Sequence, residues 1–159
     1  MRLSDIIVPA AIAVGVRVSD KTDALRVASD RLGARSGLDA RRIQEALAAR
    51  EALGSTGIGS GVALPHVCFQ ELTRSYACFF TLAGPIDFDS IDQQPVDLIC
   101  AIISPTSSGC GEDKPLSYLA AAARILRDKK KSDALRKAKS AWMIYDIVKS
   151  TEAAGHLVS

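Results

Sequence analysis

The apolar positions along the chain follow two different periods. In residues 21–34, Leu25, Ala28 and Leu32 recur at spacings of three and four, the stripe of one helical face. Gly33 or Gly37 can end that helix. A second helix is predicted to start within 36–39, where an acid lies near the positive end of the helix dipole. It runs to about Leu53, with Ile43, Ala46, Leu47 and Arg50 on one face and Gly54 as its stop. The period then changes. Residues 62–64 and 76–82 read as strands. Residues 86–89 alternate apolar and acidic, as an edge strand does, and 96–103 are almost continuously apolar, the pattern of a strand buried on both faces.

Three glycines at alternate positions in 57–61 predict a tight loop. Pro65-His66 is expected to stop the strand before it, and Gly84-Pro85 to turn the chain. A helix from about Lys114 to Arg127 carries Leu116, Leu119, Ala123 and Leu126 as its stripe. Residues 132–150 predict two further short helices. Residues 3–17, broken by Pro9, predict a turn of helix and a short strand. Residues 151–159 lack periodicity and predict a loose tail. Helix, helix, strands, then helices implies an α/β fold: a single-domain layered sandwich with a mixed sheet flanked by helices on both faces.

Composition narrows the function classes. A net charge of +2 over 159 residues is too small to argue for nucleic acid. The one dense basic run, Arg127-Asp128-Lys129-Lys130-Lys131, reads as the solvated C-terminal end of a helix, where cations are favoured. No apolar run approaches the ~18 residues of a membrane span, so no membrane insertion is expected. Four cysteines, at 68, 78, 100 and 110, form no CxxC pair and have only His66 nearby, so no metal site is expected. Cys78 and Cys100 lie inside apolar runs and read as core residues. Unpaired thiols and an N-terminus unlike a signal peptide predict a cytoplasmic location.

Candidate chemistry concentrates on His66. The chain has two histidines, and the other, His156, lies near the C-terminus. A glycine-rich segment and Pro65 deliver the His66 imidazole to the edge of the core, beside backbone N–H groups that can meet an anion. A neutral imidazole is a nucleophile; the alternative is a structural histidine. Arg50 occupies the apolar face of its helix. Either its stem lies over the core or it pairs with Glu51 or an aspartate, or it is a bidentate phosphate clamp. Gly57-Ile58-Gly59-Ser60-Gly61 lacks the spacing of a dinucleotide or Walker loop and precedes a strand, so no nucleotide cofactor is expected. Asp87, Asp89, Asp92 and Asp97 read as a solvated surface. The Ser107-Ser108-Gly109-Cys110-Gly111 loop gives its cysteine no activating base.

Arg50-Glu51, followed by Ser55-Thr56-Gly57-Ile58-Gly59-x-Gly61-Val62-Ala63-Leu64-Pro65-His66, closely resembles the phosphorylation-site motif of phosphotransferase-system enzyme IIA domains of the fructose/mannitol type. The run Pro85-Ile86-x-Phe88-Asp89-Ser90-Ile91-Asp92-x-Gln94-Pro95-Val96-Asp97-Leu98 is similar to the same family, especially its nitrogen-regulatory branch. The resemblance spans about residues 3–150, which makes 1–150 one EIIA type-2 domain and 151–159 a tail. It implies that an HPr-type phosphocarrier protein passes a phosphoryl group to His66. Arg50 would hold the phosphate, with Ser55, Thr56 and Gly57 as further donors. In the nitrogen branch the phosphorylation state controls binding to regulatory targets such as potassium transporters and sensor kinases. The charge change of about −1.5 to −2 can reverse a small docking surface. A sugar-specific IIA feeding a IIB domain shares this chemistry; a binding module without turnover shares only the fold. The chain departs from the family where a second histidine is common. Glu112-Asp113-Lys114-Pro115-Leu116 has none, and a proline offers no side-chain donor.

Overall fold

Two single-turn 3₁₀ segments, Leu3–Asp5 and Pro9–Ala11, lead into strand β1 (Ile12–Val16). The structure, a computed structural model, describes residues 2–106 and 115–158. The sequence's first two helices follow as predicted: α1 (Lys21–Ser36) and α2 (Ala40–Ala52). Asp20 caps α1 by accepting the Asp23 N–H at 2.8 Å, and Asp39 caps α2 by accepting the Arg41 N–H at 3.1 Å; each satisfies an otherwise orphaned amide. Gly37, at φ 82°, ends α1 in the left-handed conformation that glycine adopts at least cost.

The expected glycine loop is itself a strand. β2 (Gly57–Gly59) pairs antiparallel with β3 (Val62–Ala63). Only Ser60 and Gly61, both at positive φ, turn the chain between them. β3 ends before Pro65-His66, as expected, but pairing resumes at His66. β4 (His66–Phe69) begins at His66 and pairs parallel to a strand later in the chain. Pro65 interrupts the ladder because it has no N–H, but its carbonyl still accepts from Ile102 at 2.9 Å. The register therefore carries straight through. Val62 faces Leu98, Ala63 faces Ile99 and His66 faces Ile102, a constant offset on both sides of the proline.

β5 (Tyr76–Ile86) continues through Gly84-Pro85, where a turn was predicted, and its last residue pairs with Val96. A register shift between Thr81 and Ile86 absorbs the proline, as a bulge does. The predicted edge strand at 86–89 reduces to Ile86; Asp89 has φ 54°. β6 (Val96–Pro105) is the central strand, between β5 and β3–β4. Beyond it come α3 (Pro115–Arg127), α4 (Lys129–Lys137) and α5 (Ala141–Val158). Of the basic run, only Arg127 closes a helix as expected; the lysines open the next one. Asp128 caps α4, and Lys129, Lys130 and Lys131 form its first turn. The backbone of 151–158 continues α5 instead of forming a loose tail. The Ser107–Gly111 loop and Glu112–Lys114 lie outside the described residues.

The sheet order is β1-β5-β6-β3-β2, with β4 also on β6; β5–β6 and β2–β3 are antiparallel and the other pairs parallel. This is the mixed α/β sandwich that the pattern predicts. Alternation along β6 divides the core. Ile99, Ala101 and Ile103 pack with Leu25, Ala28, Leu32, Ile43 and Leu47 of α1 and α2. Leu98, Cys100 and Ile102 pack with Ala122 and Ile125 of α3, Leu135 of α4, and Ile144 and Val148 of α5. Both faces of β6 are covered, hence its unbroken apolar run. Full burial stabilises each of these larger side chains by ~1.5–3 kcal/mol.

Candidate functional site

His66 sits on the α3 side of the sheet, because β3–β4 keeps one register. Val62 and Leu64 belong to the core layer under α3, while Ala63, Val67 and Phe69 point to the α1–α2 layer. Period-two alternation carries His66 to the same side as Leu64. Its ring is half-buried, not walled into the interior. Nδ1 lies 2.8 Å from the Leu64 carbonyl oxygen. A carbonyl only accepts, so Nδ1 carries the proton, and Nε2 of the neutral ring carries the lone pair.

A cavity of about 320 Å³ opens beside the imidazole. Arg50, Ser55, Thr56, Ile58, Leu64 and His66 line one side. Leu119, Ala120, Ala123 and Arg127 of α3 line the other. Among the described residues, two guanidinium groups and no carboxylate face this volume, a balance that favours an anion. Arg50 Nη1 donates to Gly54 O at 2.8 Å. Neither Arg50 nor Arg127 makes an ion pair among the described residues. The pairing of Arg50 with Glu51 is not what the fold contains.

Glu51 turns the other way and organises the segment leading to β2. It is 9% exposed, accepts the Thr56 N–H at 3.0 Å and the Thr56 hydroxyl, and pairs with Lys21 Nζ at 2.7 Å. Ser55 Oγ donates to Phe88 O at 2.6 Å and accepts the Gly57 N–H at 3.0 Å. The hydroxyl protons of Ser55 and Thr56, and the amides of Thr56 and Gly57, are thus engaged inside the protein. Ser55 and Thr56 form the cavity wall, and Gly57 is not among its lining residues. The resemblance implies these groups as further phosphate donors; in the fold they brace the segment beside the cavity.

The turn ahead of His66 is braced as well. Asp92 accepts the Ser60 N–H at 2.9 Å, and Arg136 of α4 donates to Ser60 O at 2.7 Å. The amide donors of Ser60 and Gln94 hold the Asp92 carboxyl below its ordinary value. Asp89 pairs with Lys21 at 3.3 Å and Asp97 with Arg136 at 3.0 Å, so three of the four aspartates read as a solvated surface, Asp89, Asp92 and Asp97, anchor the site's framework.

Of the residues expected from the sequence, His66, Arg50, Ser55 and Thr56 share one cavity, and Arg127, expected as the solvated end of a basic run, lines it too. A signal was present. Ala120, Ala123 and Arg127 are three and four apart on α3, so one helical face delivers all three to the cavity. The helix begins at Pro115; among the described residues of α3 no side chain supplies a second imidazole.

Comparison with known proteins gives this geometry a context. Residues 5–151 match the family model described as phosphoenolpyruvate-dependent sugar phosphotransferase system, EIIA 2. A nitrogen regulatory protein of Bradyrhizobium diazoefficiens is 37% identical over 148 residues, covering 93% of this chain and 95% of that protein. The Escherichia coli nitrogen regulatory protein is 38% identical over 138 residues, covering 86% of this chain and 83% of its own. The crystal structure of nitrogen regulatory protein IIA-Ntr from Neisseria meningitidis superposes with a TM-score of 0.84 at 30% identity, covering 92% of this chain and 98% of that one.

Proposed function

The chain belongs to the EIIA 2 family of the phosphoenolpyruvate-dependent sugar phosphotransferase system, alongside its nitrogen regulatory members, and on that premise we propose that it is a phosphoryl carrier whose charge state is read by regulatory partners. The donor is an HPr-type phosphocarrier, and the acceptor atom is His66 Nε2. The Nε2 lone pair forms the new N–P bond as the donor's N–P bond breaks and its electrons return to the donor imidazole. The Nδ1 proton stays in place, held at 2.8 Å from Leu64 O. Arg50 and Arg127 neutralise the arriving oxyanions, which carry negative charge throughout the transfer.

The observation that carries this reading is the shared cavity. An imidazole whose Nδ1 is committed to Leu64 O and two guanidinium groups without an ion pair among the described residues line one volume of about 320 Å³. Alanines at 120 and 123 keep the α3 wall low, leaving room for phosphate. Phosphorylation converts a cation-rich rim to one carrying about −1.5 to −2 additional charge. That is the physical basis for partner choice in nitrogen or potassium regulation by this chain in the cytoplasm. No helix among the described residues is long and apolar enough to cross a membrane.

The test is transfer of labelled phosphate from a phosphorylated HPr-type protein. The expected product is acid-labile, base-stable label on the wild type and none on His66→Ala. Arg50→Ala should slow transfer about 10²-fold, in the range seen for losing a charge-stabilising donor, and Arg127→Ala should slow it less. Label that persists in His66→Ala, or a wild type that stays unlabelled beside a IIA control that labels, overturns the proposal. Onward transfer to a IIB domain would convert the reading to a sugar-specific carrier. Partner capture indifferent to phosphorylation and to His66→Asp would leave a binding module.

A further inference from the structure

A second cation-lined groove lies at the other edge of the sheet. It has a volume of about 640 Å³ and runs between β1 and α1. Arg17, Arg26, Arg31 and Arg35 line it, with Asp30 as its one acid. Four guanidinium groups against one carboxylate leave three net positive charges on one face of a chain whose total is +2. Three sheet steps separate β1 from β3–β4, a distance of roughly 14 Å at the spacing of neighbouring strands. The groove is therefore separate from the His66 cavity, and the two share no lining residue.

The four arginines are not equivalent. Arg26 is already neutralised, by Asp23 at 2.8 Å and Asp30 at 3.3 Å. Arg17, Arg31 and Arg35 make no ion pair among the described residues. Arg31 and Arg35 stand one helical turn apart, where like charges repel. One feature offsets that repulsion, and another adds to the cost. The Arg35 guanidinium lies 5.8 Å from the Tyr76 ring centroid, a cation–π distance. Arg31 Nε is buried, yet it has no hydrogen-bond partner. A buried, unsatisfied donor in a group that never deprotonates is costly. An anion within the groove lowers that cost by compensating the charge. An arginine that merely shielded the sheet edge would keep its Nε in water, and on half-buried Arg31 that nitrogen is buried.

We propose that the groove between β1 and α1 binds a small polyanion carrying two or more phosphate groups, held by Arg17, Arg31 and Arg35. Guanidinium forks match phosphate oxygens bidentately. The spread of the three groups, from the end of β1 to the last turns of α1, fits a linear chain of phosphates better than a single one. Val16 and Val27 add apolar surface beside them, which suits the organic part of a nucleotide. Pairing of an extended peptide along β1 is disfavoured. Gly15, at φ 66°, and the register shift between Ala13 and Val16 distort this edge, and such bulges blunt edge-to-edge pairing.

Calorimetric titration of the full chain with inorganic tripolyphosphate tests the proposal, with sodium sulfate at matched ionic strength as the control. One molecule should bind per chain, and Arg31→Gln and Arg35→Gln should each weaken binding at least tenfold. Arg50→Gln and His66→Ala should leave it unchanged, which separates this site from the phosphoryl-transfer reading. The arginine variants should unfold at the wild-type temperature or above in the absence of ligand, since they relieve repulsion. Equal affinity for tripolyphosphate and ATP assigns recognition to the phosphates alone; tighter ATP binding adds the apolar wall to the same site. No saturable binding, binding matched by sulfate, or binding lost in Arg50→Gln but kept in Arg31→Gln overturns the proposal.

Discussion

Arg136 on α4 places its Nε 3.0 Å from both carboxylate oxygens of Asp97, near the start of β6. The same guanidinium donates to Ser60 O at 2.7 Å through Nη2. One side chain thus ties a helix, the central strand and the turn before His66. The room it occupies is also why position 61 takes glycine. A Cβ there would meet Arg136 Nη2 at 2.7 Å and Asp97 Oδ1 at 3.0 Å, and φ is 81° besides.

Arg136→Ala should therefore cost about 1–2 kcal/mol in urea unfolding, the range of a charge-assisted hydrogen bond that keeps some solvent access. Asp97→Asn should cost a similar amount. The double variant should be clearly less destabilised than the sum, because both changes remove one interaction. Strict additivity would mean that the contact seen here does not contribute.

The Glu51 carboxylate predicts a larger effect. It joins Lys21 of α1 to the Thr56 amide and hydroxyl in a nearly buried position. Glu51→Gln keeps the shape but leaves the Lys21 ammonium, itself 20% exposed, with the exposed Asp89 and the face of the Phe88 ring. A loss of about 2–3 kcal/mol is expected, below the 3–5 of a fully buried broken pair. Phosphotransfer to His66 should fall in the same variant, since the Thr56 wall loses its anchor. Chemical denaturation together with label transfer reads both, and a variant as stable as the wild type would refute the assigned role.

Gly57 predicts a rescue experiment. A Cβ at this position would overlap Ser90 Oγ and lie 3.0 Å from Ser90 Cβ. Gly57→Ala should destabilise by about 1–3 kcal/mol, as overpacking does. Ser90 Oγ is buried and has no hydrogen-bond partner among the described residues, so Ser90→Ala should be neutral or stabilising. Combined, the two changes should recover much of the Gly57→Ala loss in thermal or urea unfolding. Absence of recovery would place the strain elsewhere.

Thiol reactivity should follow burial. Burial pushes the Cys78 thiol from its ordinary 9.0 up to about 12, and that of Cys100 up further. Cys68 is exposed and not in a disulfide. Peptide mapping after brief iodoacetamide treatment at pH 8 should find Cys68 modified, and Cys78 and Cys100 modified only after denaturation. The sign for stability follows from linkage. Both raised thiols stay protonated in the folded chain after their unfolded counterparts ionise. The unfolded state then binds fewer protons, and stability falls as pH rises from about 9 toward 12. Cys78→Ala with Cys100→Ala should flatten that part of the pH profile. An unchanged slope would assign it to other groups.

Much of this was readable from residue order alone. The stripes at Leu25, Ala28 and Leu32 and at Ile43 and Leu47, and the unbroken apolar run of β6, each record a local rule: a face that must be buried, or two of them. The pattern at 50–66 singled out His66 and Arg50 because a glycine-rich segment and Pro65 deliver one imidazole to the core edge and because a charge lies on the apolar face of a helix. What residue order did not contain was the outcome of competition between local preference and pairing. Gly57–Gly59 and the stretch across Gly84-Pro85 have the composition of loops, yet they are strands: Gly57 and Gly59 pair with β3, and the exposed Ala83-Gly84-Pro85 stretch is carried between residues of β5 that pair with β6 on either side of it. His66 opens a strand instead of ending one for the same reason: β6 holds its register on both sides of Pro65. The donors of Ser55, Thr56 and Gly57 were committed elsewhere by partners distant in the chain, Glu51 and Phe88. Arg127 entered the cavity only once α3 packed across β6. The sequence by itself determined which residues can do chemistry, since that depends on side-chain type and local spacing. Tertiary structure decided which of them meet, because a cavity is made by residues whose separation along the chain carries no information about their distance in space.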